Sequence, residues 1–229
     1  MNVRVGSFLL VILLVGGLAS AEPIPLIMDG WDSGWSVELP DNLHSGLWID
    51  RITSTYVRIE IAKTFPSGPQ GGQFPANEIH FYQRLADADT VPTIQITDEI
   101  VTNDTGRDWT DYHWEVVGPD AAFDRTATED SGFSTAPFTR FLWGAPPAGW
   151  SSDHSGSLDV DGGGVVHDGE TFFPGLLAGK LYIDTDLTEE EQVHFVLRQY
   201  PTPEPGTAVL LGVAGVGLLV RRRRPRAAS

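Results

Sequence analysis

Between residues 22 and 200 apolar and polar positions alternate with a period of two in one short run after another. In TYVRIEIAKTF, Val57, Ile59 and Ile61 alternate with Arg58, Glu60 and Ala62; in VPTIQITDEIV, Ile94 and Ile96 alternate with Gln95 and Thr97. That period places successive side chains on opposite faces of a half-buried strand. LHSGLWIDRI, EIHFYQRL, YHWEVV, FTRFLW, GSLDV, KLYIDTD and QVHFVLRQY read the same way, and the turn-formers SGPQGG, NDTG, GPD, GAPPAG, DGGG and HDGE separate them. No run sustains a period of 3.6, and LTEEEQ offers one helical turn at most. About nine or ten strands without helical crossovers predict an all-β fold, an antiparallel β-sandwich or jelly roll.

One stretch, ITDEIVTNDTGRDWTDYHWEVVG, predicts a hairpin. A strand ends at Thr102, Asn103-Asp104-Thr105-Gly106 turns the chain, and the return strand follows from Trp109. Tyr112, Trp114 and Val116 lie two apart and share a face. Gly106 supplies the positive φ that such a turn needs.

The two ends break the β pattern. MNVR, then VGSFLLVILLVGGL, then Ala19-Ser20-Ala21 is the order of a cleaved secretory signal over residues 1–21, with a positive start, an apolar stretch and small residues at the cut. Pro23 and Pro25 stop any helix there. Gly206 to Val220 is 15 residues without a charge, about 22 Å as a helix and short for a permanent membrane span. Arg221, Arg222, Arg223 and Arg224 follow, with Arg226 just beyond. By the positive-inside rule this end stays cytoplasmic and Pro205 lies outside. The fold is thereby expected to carry an N-terminal signal helix and a C-terminal single transmembrane helix, with residues 22–200 between them as an ectodomain.

Charge sharpens this division. The chain of 229 residues carries a net −16, but the part between leader and apolar tail holds nine bases against 31 acids, a net of −22. Such a domain repels phosphate backbones, so nucleic acid is disfavoured as a partner. With no cysteine, neither disulfides nor thiolate metal sites contribute, and an apolar core must supply the stability.

Pro203-Glu204-Pro205, followed by Gly206-Thr207-Ala208, a small-residue apolar helix and the block Arg221 to Arg224, resembles the PEP-CTERM sorting signal. The resemblance covers about 27 residues, with the signal assigned to residues 201–226. It implies recognition by an exosortase, an integral-membrane cysteine protease of Gram-negative bacteria that make extracellular polysaccharide. It further implies cleavage near Pro203 to Pro205, after signal peptidase has cut beyond Ala19 and Ala21, and delivery from the inner membrane to the cell surface or matrix. The hairpin stretch is similar to an Asn-x-Thr-Gly-x-x-Trp-x-Asp-Tyr/Phe-His segment found in the ectodomains of other PEP-CTERM proteins, to which no activity attaches.

Candidate chemistry is sparse. Trp109, Asp111 and His113 are candidates for a ligand site; the other reading of the stretch is an aromatic core closed by turn hydrogen bonds. The six histidines have no HxH or HxxxH spacing, so no sequence-local zinc site is expected. Asp159 and Asp161, before a glycine run, have the residue types of a calcium loop but lack the remaining acids of an EF-hand. Asp153-His154-Ser155 holds triad residue types, yet adjacent residues cannot converge and no Gly-x-Ser-x-Gly elbow accompanies them. No cofactor is implied. Trp31, Trp35, Trp143 and Trp150 sit beside turn-formers, where exposed rings could stack on extracellular polysaccharide. The reading is an exported, non-enzymatic surface or matrix protein with a structural or adhesive role. A carbohydrate- or calcium-binding module, and then a secreted hydrolase, are the alternatives.

Overall fold

The alternation in Tyr56–Phe65 runs through the whole strand: Val57, Ile59, Ile61, Lys63 and Phe65 are all buried, while the residues between them are only partly covered. A computed structural model describes residues 22–40, 46–71, 73–177, 179–187 and 192–202. The signal segment 1–21, the sorting residues Pro203, Glu204 and Pro205, the apolar run 206–220, the arginine block Arg221 to Arg224 and most of LTEEEQ lie outside the described residues.

Strands β1 (Ile24–Met28), β2 (Trp31–Glu38), β3 (Gly46–Ile52), β4 (Tyr56–Phe65), β5 (Asn77–Gln83), β6 (Thr93–Asn103) and β7 (Trp109–Val117) come first. Then follow β8 (Ala121–Asp124), the helix α1 (Arg125–Asp130), β9 (Phe138–Trp143), β10 (His154–Ser155), β11 (Ser157–Val166), β12 (Thr171–Phe172), β13 (Leu181–Thr185) and β14 (His194–Tyr200). They form a sandwich of two seven-stranded sheets. One sheet has the order β1-β2-β5-β14-β7-β11-β9; the other has β10-β8-β13-β6-β4-β3, with β12 also on β6.

Three features depart from the sequence reading. First, β4 and β6 pair in parallel, whereas the other strand pairs among the described residues are antiparallel. The chain leaves β4, crosses to the opposite sheet as β5, and returns beside β4 in the same direction, so the second sheet serves as the crossover that parallel pairing needs. Second, β6 and β7 belong to different sheets. Asn103–Asp108 is therefore an arch across the sandwich and not a hairpin turn. Third, a short helix, α1, follows β8, started by the Asp124 carboxylate accepting from the Ala127 amide at 2.8 Å.

Asn103 makes the arch possible. Its buried side chain donates through Nδ2 to the carbonyls of Arg107 (2.7 Å) and Val166 (3.0 Å), and Oδ1 accepts from the Thr105 amide and hydroxyl. Backbone groups that lose their ladder partners at the crossover are satisfied this way. Asn103 is also the first residue of a glycosylation-type sequon, but its amide is fully enclosed and engaged. Gly106 takes φ +73°, and its amide donates to Asp168 at 2.6 Å.

The core is aromatic. Tyr112 and Trp114 share the inner face as their spacing predicts, and Trp109, Phe65, Phe133, Phe138 and Phe172 pack around them, with ring centroids between 4.7 and 6.2 Å for neighbouring pairs. A second group joins Trp35, Phe81 and Phe195. Each fully buried ring removes about 150–250 Å² from water, about 4–6 kcal/mol of transfer free energy.

A charged pair sits within this core. Alternation from Ile94 and Ile96 would turn Asp98 inward, but a bulge sets Ile61 opposite both Asp98 and Glu99, and Asp98 takes φ +46°. The phase changes, Glu99 points inward, and Ile100 becomes exposed. Lys63 Nζ lies 2.8 Å from Glu99 Oε1 and also donates to Gln199 Oε1 on the opposite sheet. Gln199 Nε2 donates to Glu99 Oε1 at 3.0 Å, and Trp114 Nε1 donates to Glu99 Oε2 at 3.0 Å.

Asn103→Ala removes the arch's internal partner and takes a hydrogen bond from the Val166 carbonyl and from the Thr105 amide, while the Thr105 hydroxyl keeps its bond to the Arg107 carbonyl at 3.2 Å. We expect a loss of about 1–3 kcal/mol, read as a lower urea midpoint with an unchanged slope; an unchanged midpoint would show that the arch is held by other means.

Candidate functional site

On the outer face of the first sheet, cross-strand register sets Asp111 opposite Asp161 and His113 opposite both Asp159 and Tyr200. Acids facing one another across strands repel, and the face is wired to answer this. Arg140 on β9 donates Nε and one terminal nitrogen to the two oxygens of Asp161, each at 2.5 Å. His113 Nδ1 lies 2.7 Å from Asp159, its Nε2 lies 3.6 Å from Asp111, and its ring stacks on Tyr200 at 5.0 Å. At 3.6 Å the contact with Asp111 is an ion pair and not a hydrogen bond. Asp111 also accepts from the Thr202 amide at 2.9 Å and from the Thr202 hydroxyl.

Burial alone would push the His113 imidazole down, but the carboxylates of Asp111 and Asp159 outweigh it and raise the pKa to about 9. Burial would likewise raise Asp111; its contacts with His113 and Thr202 prevail and lower it. At neutral pH the cluster is a charged acid–imidazolium–acid series with its charges mostly spent on one another.

This placement divides the predicted ligand trio. Asp111 and His113 share the outer face, but Trp109 is fully buried on the other side of the sheet. The cause is a register shift between β7 and β11, where the pairing passes from Asp111–Asp161 directly to Trp109–Val166. Asp159 and Asp161 are on a strand and not in a loop, with the glycines at 162 and 163 absorbing the shift at φ +67° and +80°. His113 and Arg140 already occupy the two carboxylates. Among the described residues, no group of three or more His, Cys, Asp or Glu is placed to hold a metal ion.

The same face continues with a stack that spacing did not reveal. Tyr82, His194 and His80 lie nearly parallel, with centroids 4.5 and 5.5 Å apart, and Tyr82 donates to Glu38 at 3.0 Å. His80 Nδ1 and His194 Nε2 are 3.2 Å apart. Burial and the neighbouring His80 both push His194 down. These histidines are 114 positions apart and meet only because β5 and β14 pair.

A groove of about 570 Å³ opens at one end of the sandwich. Pro92 and Thr93 before and in β6, Pro119 and Asp120 between β7 and β8, Trp150 and Ser151, and Asp184 to Asp186 form its walls. Trp150 is fixed by donation from Nε1 to the Pro119 carbonyl at 2.9 Å and lies against His154 at 4.8 Å. Ser151 Oγ is 2.9 Å from His154 Nδ1, and His154 Nε2 is 3.4 Å from Asp184 Oδ2. These are triad residue types on the opposite ring nitrogens from those a serine nucleophile uses. The Ser151–His154 bond also closes a single turn, since the His154 amide donates to the Ser151 carbonyl at 3.1 Å. Ser155, the serine beside His154 in sequence, is buried and bonded to backbone carbonyls.

The other tryptophans scatter. Trp31 is 60% exposed, Trp35 is buried with its Nε1 on the Val91 carbonyl, and Trp143 is tied to Glu129 at 2.7 Å. Trp35 is therefore a core residue and no stacking platform.

An unfolded histidine titrates near 6.5, whereas folded His113 does so near 9. Its stabilising contribution is complete below the lower value and is lost as pH rises through the upper one. We expect the stability difference between the native protein and His113→Gln to shrink steadily from about pH 6 to about pH 10 in pH-resolved denaturant unfolding. A difference independent of pH would refute the pairing. Compared with protein-family models, curated proteins and solved structures, the chain matches none.

Proposed function

We propose that the chain is an exported, non-enzymatic β-sandwich delivered to the cell surface or extracellular matrix by its PEP-CTERM-like tail, with a structural or adhesive role. The observation that supports it best is the span of the described strands. β1 begins at Ile24, directly after the signal cleavage site, and the chain leaves β14 at Tyr200. Thr202 is then tied to Asp111, one residue before Pro203. The strands thus lie in the interval between the two proposed processing signals, and Thr202 is held to the sheet one residue before the Pro-Glu-Pro triplet. Pro203 and Pro205 lack amide donors and favour extended backbone accessible to a membrane-embedded protease.

On this reading signal peptidase removes residues 1–21, the apolar run 206–220 holds the precursor in the inner membrane, and an exosortase releases the ectodomain near Pro203 to Pro205. Mass spectrometry of the mature protein from cells with and without the protease should show the arginine tail lost only when the protease is present. Retention of the tail in both would leave a simple membrane anchor.

The groove at Trp150 favours a second reading, a carbohydrate-binding module. A fixed indole on one wall with Asp120, Asp184 and Asp186 nearby combines an apolar face for a sugar ring with acceptors for its hydroxyls. Trp150→Ala should weaken retention of the protein on the host's extracellular polysaccharide several-fold without altering its unfolding midpoint by more than the loss of one partly exposed ring. Equal retention of both forms would eliminate the groove as the binding site.

A further inference from the structure

Lys63, Glu99 and Gln199 occupy a dry space between the sheets, all three fully buried. Tyr112 and Trp114 wall this space, with the Tyr112 ring 5.9 Å from Lys63 Nζ. A buried ion pair is a weak stabilising device, because desolvation offsets most of its attraction. Here the pair is joined by a primary carboxamide, and one oxygen of the acid touches both nitrogens. Glu99 Oε1 is 2.8 Å from Lys63 Nζ and 3.0 Å from Gln199 Nε2, while Lys63 Nζ itself bonds to Gln199 Oε1. An amine, the oxygen and the leaving nitrogen of a carboxamide, and a proton carrier are therefore joined in one cluster.

We propose that Lys63 and Gln199 become joined by an intramolecular isopeptide bond, an ε-(γ-glutamyl)lysine link between the two sheets, formed with Glu99 as proton shuttle. Within the ion pair the Lys63 ammonium passes a proton to the Glu99 carboxylate, giving a neutral amine and a neutral acid. The Nζ lone pair attacks Cδ of Gln199, the N–C bond forms, and the carbonyl pair moves onto Oε1. Glu99 gives its proton to Nε2 and takes one from the now cationic Nζ. The oxygen pair re-forms the carbonyl, the Cδ–Nε2 bond breaks, and ammonia leaves with the bonding electrons. Ammonia takes the proton left on Glu99 and departs as ammonium, so ammonium plus primary amide gives secondary amide plus ammonium; nothing is oxidised or reduced, and Glu99 returns to its carboxylate.

The surroundings favour each step. Burial pushes the Lys63 amine down from its ordinary value, against the pull of Glu99, and this is how a lysine becomes nucleophilic. Trp114 Nε1 holds Glu99 Oε2 at 3.0 Å and fixes the shuttle's orientation. Reactants held in contact gain effective molarities of about 10⁵–10⁸ M. Exclusion of water removes the competing hydrolysis. The bond depends on the fold alone and not on the tail, its processing or any ligand of the groove.

The test is peptide mass spectrometry on the full chain purified from cells, denatured and digested with trypsin. We expect a branched peptide carrying both Lys63 and Gln199, lighter than its two parts by one ammonia in addition to the usual residue arithmetic, and no cleavage after Lys63. Two separate linear peptides with free Lys63 and Gln199, from a chain that unfolds cooperatively before digestion, would overturn the proposal. Glu99→Gln keeps the shape but gives up one acceptor oxygen and cannot shuttle the proton. Folded protein of this variant should give the separate peptides, and a branched peptide from it would remove Glu99 from the mechanism. Lys63→Met, a volume-matched change, should abolish the branched peptide, and its persistence would place the link elsewhere.

Discussion

The meeting of Lys63 with Glu99 between the sheets constrains more of this molecule than any other contact. A lone charge there would cost several kcal/mol, so each group must be brought to the other and its remaining valences filled. The bulge at Asp98 exists in that service: without it, Glu99 would face solvent and Asp98 the core. The parallel pairing of β4 and β6 sets Lys63 beside Glu99. Gln199 and Trp114, from the facing sheet, take the acid's other contacts, so the two sheets have one relative placement in which Lys63, Glu99 and Gln199 are all engaged. An all-apolar interior could slide; this one is pinned.

How much of this the chain discloses in advance depends on the range of the interaction. All nine alternating runs are strands, since a period of two is a local property that needs no partner. The strands that escaped notice are those whose local signal is poor: β1 is five residues long with Pro25 inside it, β2 carries Ser33, Gly34 and Ser36, β8 is four residues long, and β10 and β12 have two each. Lys63 was legible in one respect, because it continues the inward phase of Val57, Ile59 and Ile61. Its partner was not, because the phase of β6 breaks at Asp98, a residue that ordinarily avoids positive φ. Pairings between strands were the least legible. An arch and a hairpin can have the same turn residues, and only the destination of the next strand distinguishes them. For the same reason His80 and His194, or His154 and Asp184, gave no signal: contacts 114 and 30 residues apart are made by topology.

The acidity of the domain acquires a structural sense on the outer face of the first sheet. Acids there are not simply solvated. Asp161 is clasped by Arg140, Asp111 and Asp159 flank His113, and Glu78 and Glu115 share Arg198. With so few bases available, histidine serves as a cation, its proton retained because two carboxylates outweigh its burial. The acids far outnumber the bases that could pair with them, and like charges on neighbouring copies repel. That suits a protein proposed to be concentrated at a surface, where neighbours of like charge would otherwise associate edge to edge.

The last residues of the folded unit show how such a domain could bear a load. Gln199 points inward and is held by Glu99 and Lys63 of the opposite sheet; Thr202 is held by Asp111 on the outer face. Tyr200, between them, stacks on His113. The chain is thus gripped on both faces of the sheet between Gln199 and Thr202, and each grip includes a charged group held by its partners. A pull on the tail cannot peel β14 from its edge inward, because β14 lies between β5 and β7 in the middle of its sheet. It must instead shear two antiparallel ladders together and break the core cluster at the same moment. With no cysteine available, a cross-link at Gln199 would be placed where the pull first reaches the fold, and would carry it directly to β4 in the other sheet. On the proposed structural role, the buried amine–amide–acid cluster and the central position of β14 would answer the same mechanical demand.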